Sequence, residues 1–298
     1  MARSSKLDSL LARMPDGLYN RLDARLPKET AGRLRFRRSR AAFNHYMREK
    51  LGGFMVDVDL GPKGSDDIIM KTAVLVKEEA AWSLDANNYF EHGFHQLLTW
   101  FKMLEPFGFN LRTVGAVFEL GCGSARLIRH LRCMRGVRLV GSDLVPEQVE
   151  WCKTNVPGVE FYVNQLDPPL SFAQDNTFDL AFAASVFTHI PLETQQQWIH
   201  EMYRILKPGG FLVCDVLGHY HQGRMLDAAD MKKFEEQGNF TLTAKDEKAS
   251  LSTQLIGSWD VFMKRGEFLR VFGKEFEVLD FLPTLLNLFI LRKPLSAK

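Results

Sequence analysis

The chain has 298 residues, 46% of them apolar and 25% charged, with a net charge of +2; these ordinary globular values predict a sizeable core, and the net charge does not demand a nucleic-acid partner. The four cysteines, Cys122, Cys133, Cys152 and Cys214, form no C-x-x-C pair, so neither a disulfide framework nor a metal site is expected. No apolar run approaches the ~18 residues of a membrane span, and Met1 to Leu10 lack the apolar stretch of a secretory signal, so a cytoplasmic protein is the expectation.

Charge is uneven along the chain. Residues 1–50 hold thirteen Lys/Arg against five Asp/Glu, about +8, which leaves the remainder at about −6. Leu7, Leu10, Leu11 and Met14 share one helix face, and Pro15-Asp16-Gly17 ends that helix. Leu18, Leu22 and Leu26 begin a second, stopped by Pro27. Arg33 to Arg40 is dense in arginine. One reading of this segment is a solvated helical extension; the other is contact with an anionic partner, nucleic acid or membrane. The arginines at 33, 35, 37 and 38 alternate too fast to share one helical face, which counts against the second. Gly52-Gly53 and Gly61-Pro62-Lys63-Gly64 signal loops, and Asp66 to Glu79 reads as a helix.

From residue 85 onward helical and strand-like patterns alternate. Helices are predicted at 89–104, 125–134, 146–155 and 192–206, with Pro146 at a first turn. Buried strands are predicted at 114–120, 137–141, 159–163, 178–184 and 211–216. Two more, at 276–282 and 288–292, would close the sheet as an antiparallel hairpin. Residues 239–275 read as a short strand or hairpin and then a helix near 260–272. This alternation predicts an α/β fold, a doubly wound, mostly parallel sheet with an antiparallel C-terminal edge hairpin. The division is expected at a basic helical extension, 1–84, and a main domain, 85–298. Ligands of such sheets bind at the carboxyl ends of the strands.

One such end is Val117-Phe-Glu119-Leu-Gly121-Cys122-Gly123-Ser-Ala125-Arg126. The two glycines strip the turn of side chains where a nucleotide-like ligand can approach. A dinucleotide site wants a third glycine where Arg126 stands, and Glu119 would repel a pyrophosphate. Asp143, 20 residues beyond Gly123, suits a ribose under either hypothesis.

These residues, with Asn164-Gln165-Leu-Asp167, Asn176-Thr-Phe178-Asp179-Leu180, Val186-Phe-Thr-His189-Ile190 and Arg204-Ile-Leu-Lys207-Pro-Gly-Gly210, resemble the class I S-adenosylmethionine-dependent methyltransferases in six ordered matches. The sequence departs from the family at Ala125, where many members have a third glycine. The resemblance implies a Rossmann-like fold, S-adenosyl-L-methionine as cofactor and an enzyme that methylates a small-molecule or sugar-containing acceptor. It implies that Gly121 and Gly123, with Cys122 as small filler between them, lie against the methionine portion. Glu119 would orient the turn or the ammonium group, Asp143 would accept both ribose hydroxyls and Leu144 would pack on the adenine. Asn164, with Gln165 or Leu166 beside it, would address the adenine edge, and Ser185 would line the sulfonium side. His189 and His219 are the candidate catalytic residues, each with an alternative: a structural histidine for His189, an exposed loop residue for His219. Tyr89 and His92 are candidates to close over the cofactor. Ala183-Ala-Ser185-Val186 stands where an N-P-P-[FY] signature would, which favours oxygen over nitrogen acceptors. Alternatives are a silent cofactor-binding scaffold and an RNA or protein methyltransferase.

Overall fold

The structure, a computed structural model, describes residues 10–11, 14–26, 28–56, 86–247, 249, 259–283 and 286–295. The helix expected at 66–79 and the boundary expected between 84 and 85 lie outside the described residues. Two compact units divide the chain: one comprises the described residues up to Thr113 with Ser124–Val137, the other Val114–Gly123 with those from Arg138 onward.

In the first unit, helices α1 (Asp16–Asp23), α2 (Lys28–Leu51) and α3 (Ala86–Leu104) supply the frame. The basic stretch is one continuous helix, and Arg38 is tied to Asp16 and to the Met14 carbonyl. Phe43 of α2 meets Phe94 of α3 at 5.3 Å between ring centroids, and Tyr46 stacks on Phe101. Glu105 accepts hydrogen bonds from Lys50 at 2.8 Å and from the Tyr46 hydroxyl at 2.7 Å. Lys50 first, then Tyr46, hold the Glu105 carboxyl below its ordinary range. The expected helix at 125–134 is corrected to a 3-10 segment, Ile128–Cys133. Ala125 adopts φ 60°, which no helix start tolerates. The other end is drawn into extended pairing: Met55 bridges Met134, and Val56 N–H donates to the Cys133 carbonyl at 2.8 Å.

Among the described residues the second unit has nine strands: β1 (Ala116–Leu120), β2 (Arg138–Asp143), β3 (Glu160–Val163), β4 (Phe178–Ala183), β5 (Leu206–Leu217), β6 (Asn239–Thr243), β7 (Trp259–Met263), β8 (Glu277–Pro283) and β9 (Leu286–Arg292). The parallel part runs β3-β2-β1-β4-β5, so the order reverses between β1 and β4. Antiparallel β9 joins β5, and β8 follows β9, which is the expected edge hairpin. The hairpin β6–β7 pairs with the end of β5 through Leu217 opposite Phe262. The helix expected near 260–272 is therefore corrected at its start: Asp260 to Met263 are strand, and α8 is Arg265–Phe272.

The other helices among the described residues are α4 (Pro146–Asn155), α5 (Leu192–Ile205), α6 (His219–Met225) and α7 (Ala228–Gln237). His219, for which an exposed loop position was the alternative reading, thus stands at the start of a short helix. Strand alternation sends Phe118, Leu120, Val140, Ala183, Cys214 and Val216 to one face, where Trp198 and Met202 of α5 and Phe268 and Phe272 of α8 complete the main core. A smaller core of Leu217, Leu226, Phe234, Leu242 and Phe262 holds α7 to the β6–β7 hairpin. Asp179 accepts the Gly115 and Ala116 N–H groups at 2.8 and 2.9 Å and the Lys207 ammonium, locking the amino ends of β1, β4 and β5 together. No described helix is long and apolar enough to cross a membrane.

Candidate functional site

The parallel ladder aligns four strand ends. Leu120 lies opposite Ser142, Asp143 opposite Val163, and Glu119 opposite Phe182. Beyond β1 the chain turns at Gly121 (φ 65°) and Gly123 (φ 51°), backbone that side chains resist. A Cβ at Gly121 would sit 2.4 Å from Val186 Cγ2, so this turn is pressed against the turn that follows β4. Cys122 N–H donates to the Ser142 carbonyl at 2.9 Å. Its thiol is buried, and burial pushes it well above the ordinary thiol range, which suits a filler and not a nucleophile.

Asp143 joins the two neighbouring ends. Its Oδ2 accepts from Gly123 N–H at 2.8 Å and its Oδ1 from Val145 N–H at 3.0 Å. Burial raises its carboxyl above the ordinary range, and those two N–H groups hold it partly down. Asn164 follows β3. Its N–H donates to the Asp143 carbonyl at 3.0 Å and its Nδ2 to the Gln165 carbonyl at 2.8 Å. The buried Asn164 Oδ1 has no hydrogen-bond partner among the described residues. Around it Leu144, Val163 and Leu166 are exposed although apolar. Leu166 is fixed in place because the Trp198 indole donates to its carbonyl at 2.8 Å. A flat ring between apolar walls, with an amine for Asn164 and hydroxyls for Asp143, is the ligand such a row can hold. A buried Glu119 completes it and opposes a polyphosphate.

The turn after β4 is fastened from elsewhere in the unit. Ser185, exposed and at φ 56°, donates its N–H to Asp215 Oδ1 of β5 at 2.7 Å. The buried Gln195 side chain donates from Nε2 to the Phe187 and Ile190 carbonyls at 2.7 and 2.8 Å. Between those two carbonyls lies His189, whose Nδ1 meets the Trp259 carbonyl at 2.8 Å and stands 3.9 Å from Asp260 Oδ1. The imidazole keeps 30% of its side chain exposed.

The fold thus gathers Glu119, Gly121, Cys122, Gly123, Asp143, Leu144, Asn164, Gln165, Ser185 and His189 at one end of the parallel sheet. His92 belongs to the other compact unit, and the Tyr89 and His219 side chains lie outside the described part of the structure. Sequence reasoning missed Asp215, Gln195, Trp259 and Val163. Only Asp215 left a signal, an acid inside the apolar run Phe211 to Leu217. No group of three His, Cys, Asp or Glu among the described residues forms a metal cluster.

Residues 118–214 match the model of a methyltransferase domain. The chain is also similar to solved structures of S-adenosylmethionine-dependent methyltransferases. One from Methanosarcina mazei is 23% identical, with 61% of this chain and 93% of that one covered and a TM-score of 0.47. One from Mesorhizobium loti is 16% identical over 64% and 96%, with a TM-score of 0.48. A Thermotoga maritima protein described as a possible histamine N-methyltransferase is 16% identical over 77% and 99%, with a TM-score of 0.44. The match runs from β1 to β5, the part of the sheet that carries the glycine turn and the strand-end acids, so this part of the chain is similar to a methyltransferase domain.

Proposed function

We propose that the enzyme transfers a methyl group to an oxygen or nitrogen of a small-molecule or sugar-containing acceptor, and that the strand ends described above hold the cofactor. The observation that carries the reading is the pairing of Asn164 Oδ1, buried and without a partner among the described residues, with the exposed apolar side chains of Leu144, Val163 and Leu166. A buried acceptor between apolar walls fits the exocyclic amine of an adenine and stabilises nothing when empty.

The residues divide the cofactor between them. Asn164 with Gln165 addresses the adenine edge, and Leu144 packs on its face. Asp143 accepts the ribose hydroxyls while its carboxylate stays anchored to the glycine turn. Gly121, Cys122 and Gly123 line the methionine portion, with Glu119 facing its ammonium group. Ser185 lines the sulfonium side. When bound, S-adenosylmethionine supplies an electrophilic methyl group for in-line displacement. His189 is the base. Its Nδ1–H donated to the Trp259 carbonyl leaves Nε2 as the lone-pair nitrogen. That nitrogen takes the proton which an acceptor hydroxyl or ammonium loses. His219, at the start of α6, is the weaker candidate beside it.

Titration calorimetry with S-adenosylmethionine, S-adenosylhomocysteine and NADH tests the cofactor assignment. Binding of the first two without the third supports it; binding of none removes it. Release of S-adenosylhomocysteine with a panel of phenols, sugars and amines then identifies the acceptor. With that acceptor, His189→Gln lowers kcat about 100-fold and leaves cofactor affinity unchanged. Unchanged kcat removes His189 from the chemistry.

A further inference from the structure

We infer that Asp215 is a specificity-determining and positioning residue of the cofactor site: its carboxylate holds the turn after β4 through Ser185 and selects the cationic cofactor over its neutral by-product. The inference rests on the cofactor reading above and extends the site to a strand that reading does not use.

Asp215 is 2% exposed in the middle of an apolar strand, a costly place for an acid unless it serves something. What it serves is visible on one side: Oδ1 accepts the Ser185 N–H at 2.7 Å. Ser185 has φ 56°, which L side chains avoid and which persists only where surrounding structure dictates it. The buried acid is part of what dictates it. Through this bond β5 sets where the Ser185 backbone and hydroxyl lie.

The charge has a second consequence. Cys214 and Val216 point into the main core together with Phe118, Leu120 and Val140. Alternation therefore puts Asp215, Glu119 and Asp143 on the opposite face of the sheet, towards the carboxyl ends of β5, β1 and β2. Three acids on one face, with Glu119 and Asp215 buried, put carboxylates where a cation is favoured over a neutral group. The same end of the sheet carries the unsatisfied Asn164 Oδ1 that points to a ligand. S-adenosylmethionine brings a sulfonium; S-adenosylhomocysteine, formed when the methyl leaves, has a neutral thioether. An acid tied to the turn on the sulfonium side would bind the first more tightly and let the second go.

The test is titration calorimetry on the full chain with S-adenosylmethionine, S-adenosylhomocysteine and sinefungin, which carries an ammonium group in place of the sulfonium. Asp215→Asn keeps an oxygen for the Ser185 N–H and removes the charge. It should weaken S-adenosylmethionine and sinefungin about tenfold, the effect of 1.4 kcal/mol, and S-adenosylhomocysteine less than about twofold. Asp215→Ala removes the hydrogen bond as well and should weaken all three. Ser185→Gly in that background, where glycine adopts the turn without strain, should restore S-adenosylhomocysteine and leave S-adenosylmethionine weak. Equal losses for all three ligands in Asp215→Asn, or full recovery of S-adenosylmethionine in the double variant, would overturn the inference. If the unaltered protein binds none of the ligands, the cofactor reading itself falls.

Discussion

Two turns close the carboxyl end of the parallel sheet, and they reach left-handed backbone by different means. The turn after β1 does so with glycines, Gly121 at φ 65° and Gly123 at φ 51°. The turn after β4 does so with a serine, Ser185 at φ 56°, held by a buried carboxylate 30 residues away. The first conformation is encoded where it occurs, since glycine enters that region at little cost. The second is encoded by tertiary partners, Asp215 and Gln195, so its stability depends on the packing of β5 and α5. The two turns also touch, with Val186 filling the space that a side chain at 121 would need.

The largest expected effect comes from spoiling that contact. Gly121→Ala forces a Cβ to within 2.4 Å of Val186 Cγ2 at a backbone angle unfavourable to alanine. Strain and overpacking together should cost about 3 kcal/mol, read by denaturant unfolding, with cofactor binding lost. Val186→Ala in the same chain should return the overpacking part and not the strain. A single variant as stable as the unaltered protein would mean that the turns do not constrain each other.

Loosening the second turn should cost less. Gln195→Leu leaves the Phe187 and Ile190 carbonyls without their side-chain donor in a buried setting. The expected loss is about 2 kcal/mol. Because His189 lies between those carbonyls, kcat should fall while cofactor affinity holds. Were affinity lost as well, the loosening would have spread from the His189 end of the turn to Ser185, and the two ends would not be held independently by Gln195 and Asp215.

The same contrast explains what could be read from the sequence. The parallel strands, α4 and α5 announce themselves by apolar runs of strand or helix period bounded by Gly and Pro. The glycine turn and Asp143 stand beside each other in the motif and come together through one strand pairing. The 3-10 segment after the glycine turn was not legible, because Ala125 in left-handed backbone and the Met55–Met134 bridge override a helical pattern. The β6–β7 hairpin was half legible. Its strands contact the sheet mainly through Leu217, so their residues carry little of the alternation that a two-sided sheet imposes. The fastening of His189 was not legible at all, since a main-chain carbonyl at Trp259 has no signature in the residue that bears it.

The smallest effect sharpens the role of Asp143, which links the glycine turn to β2. Burial, its dominant influence, raises its carboxyl above the ordinary value of 3.8, against the pull of the Val145 and Gly123 N–H groups. In the window between 3.8 and the raised value the unfolded chain has already released this proton and the folded free protein has not. The unfolded state then binds fewer protons, so this group makes the free protein less stable as pH rises through that window. On the proposed cofactor site, affinity should run the other way, because there only the ionised carboxylate would accept both ribose hydroxyls. The shift in Tm produced by a fixed concentration of S-adenosylhomocysteine should therefore grow as pH rises from the acid side through the window and then level off. Asp143→Asn should flatten that dependence along with weakening the binding. A shift that stays level with pH in the unaltered protein would mean that Asp143 spends its charge on the Gly123 and Val145 N–H groups alone, and that the glycine turn, not the ribose, is what it serves.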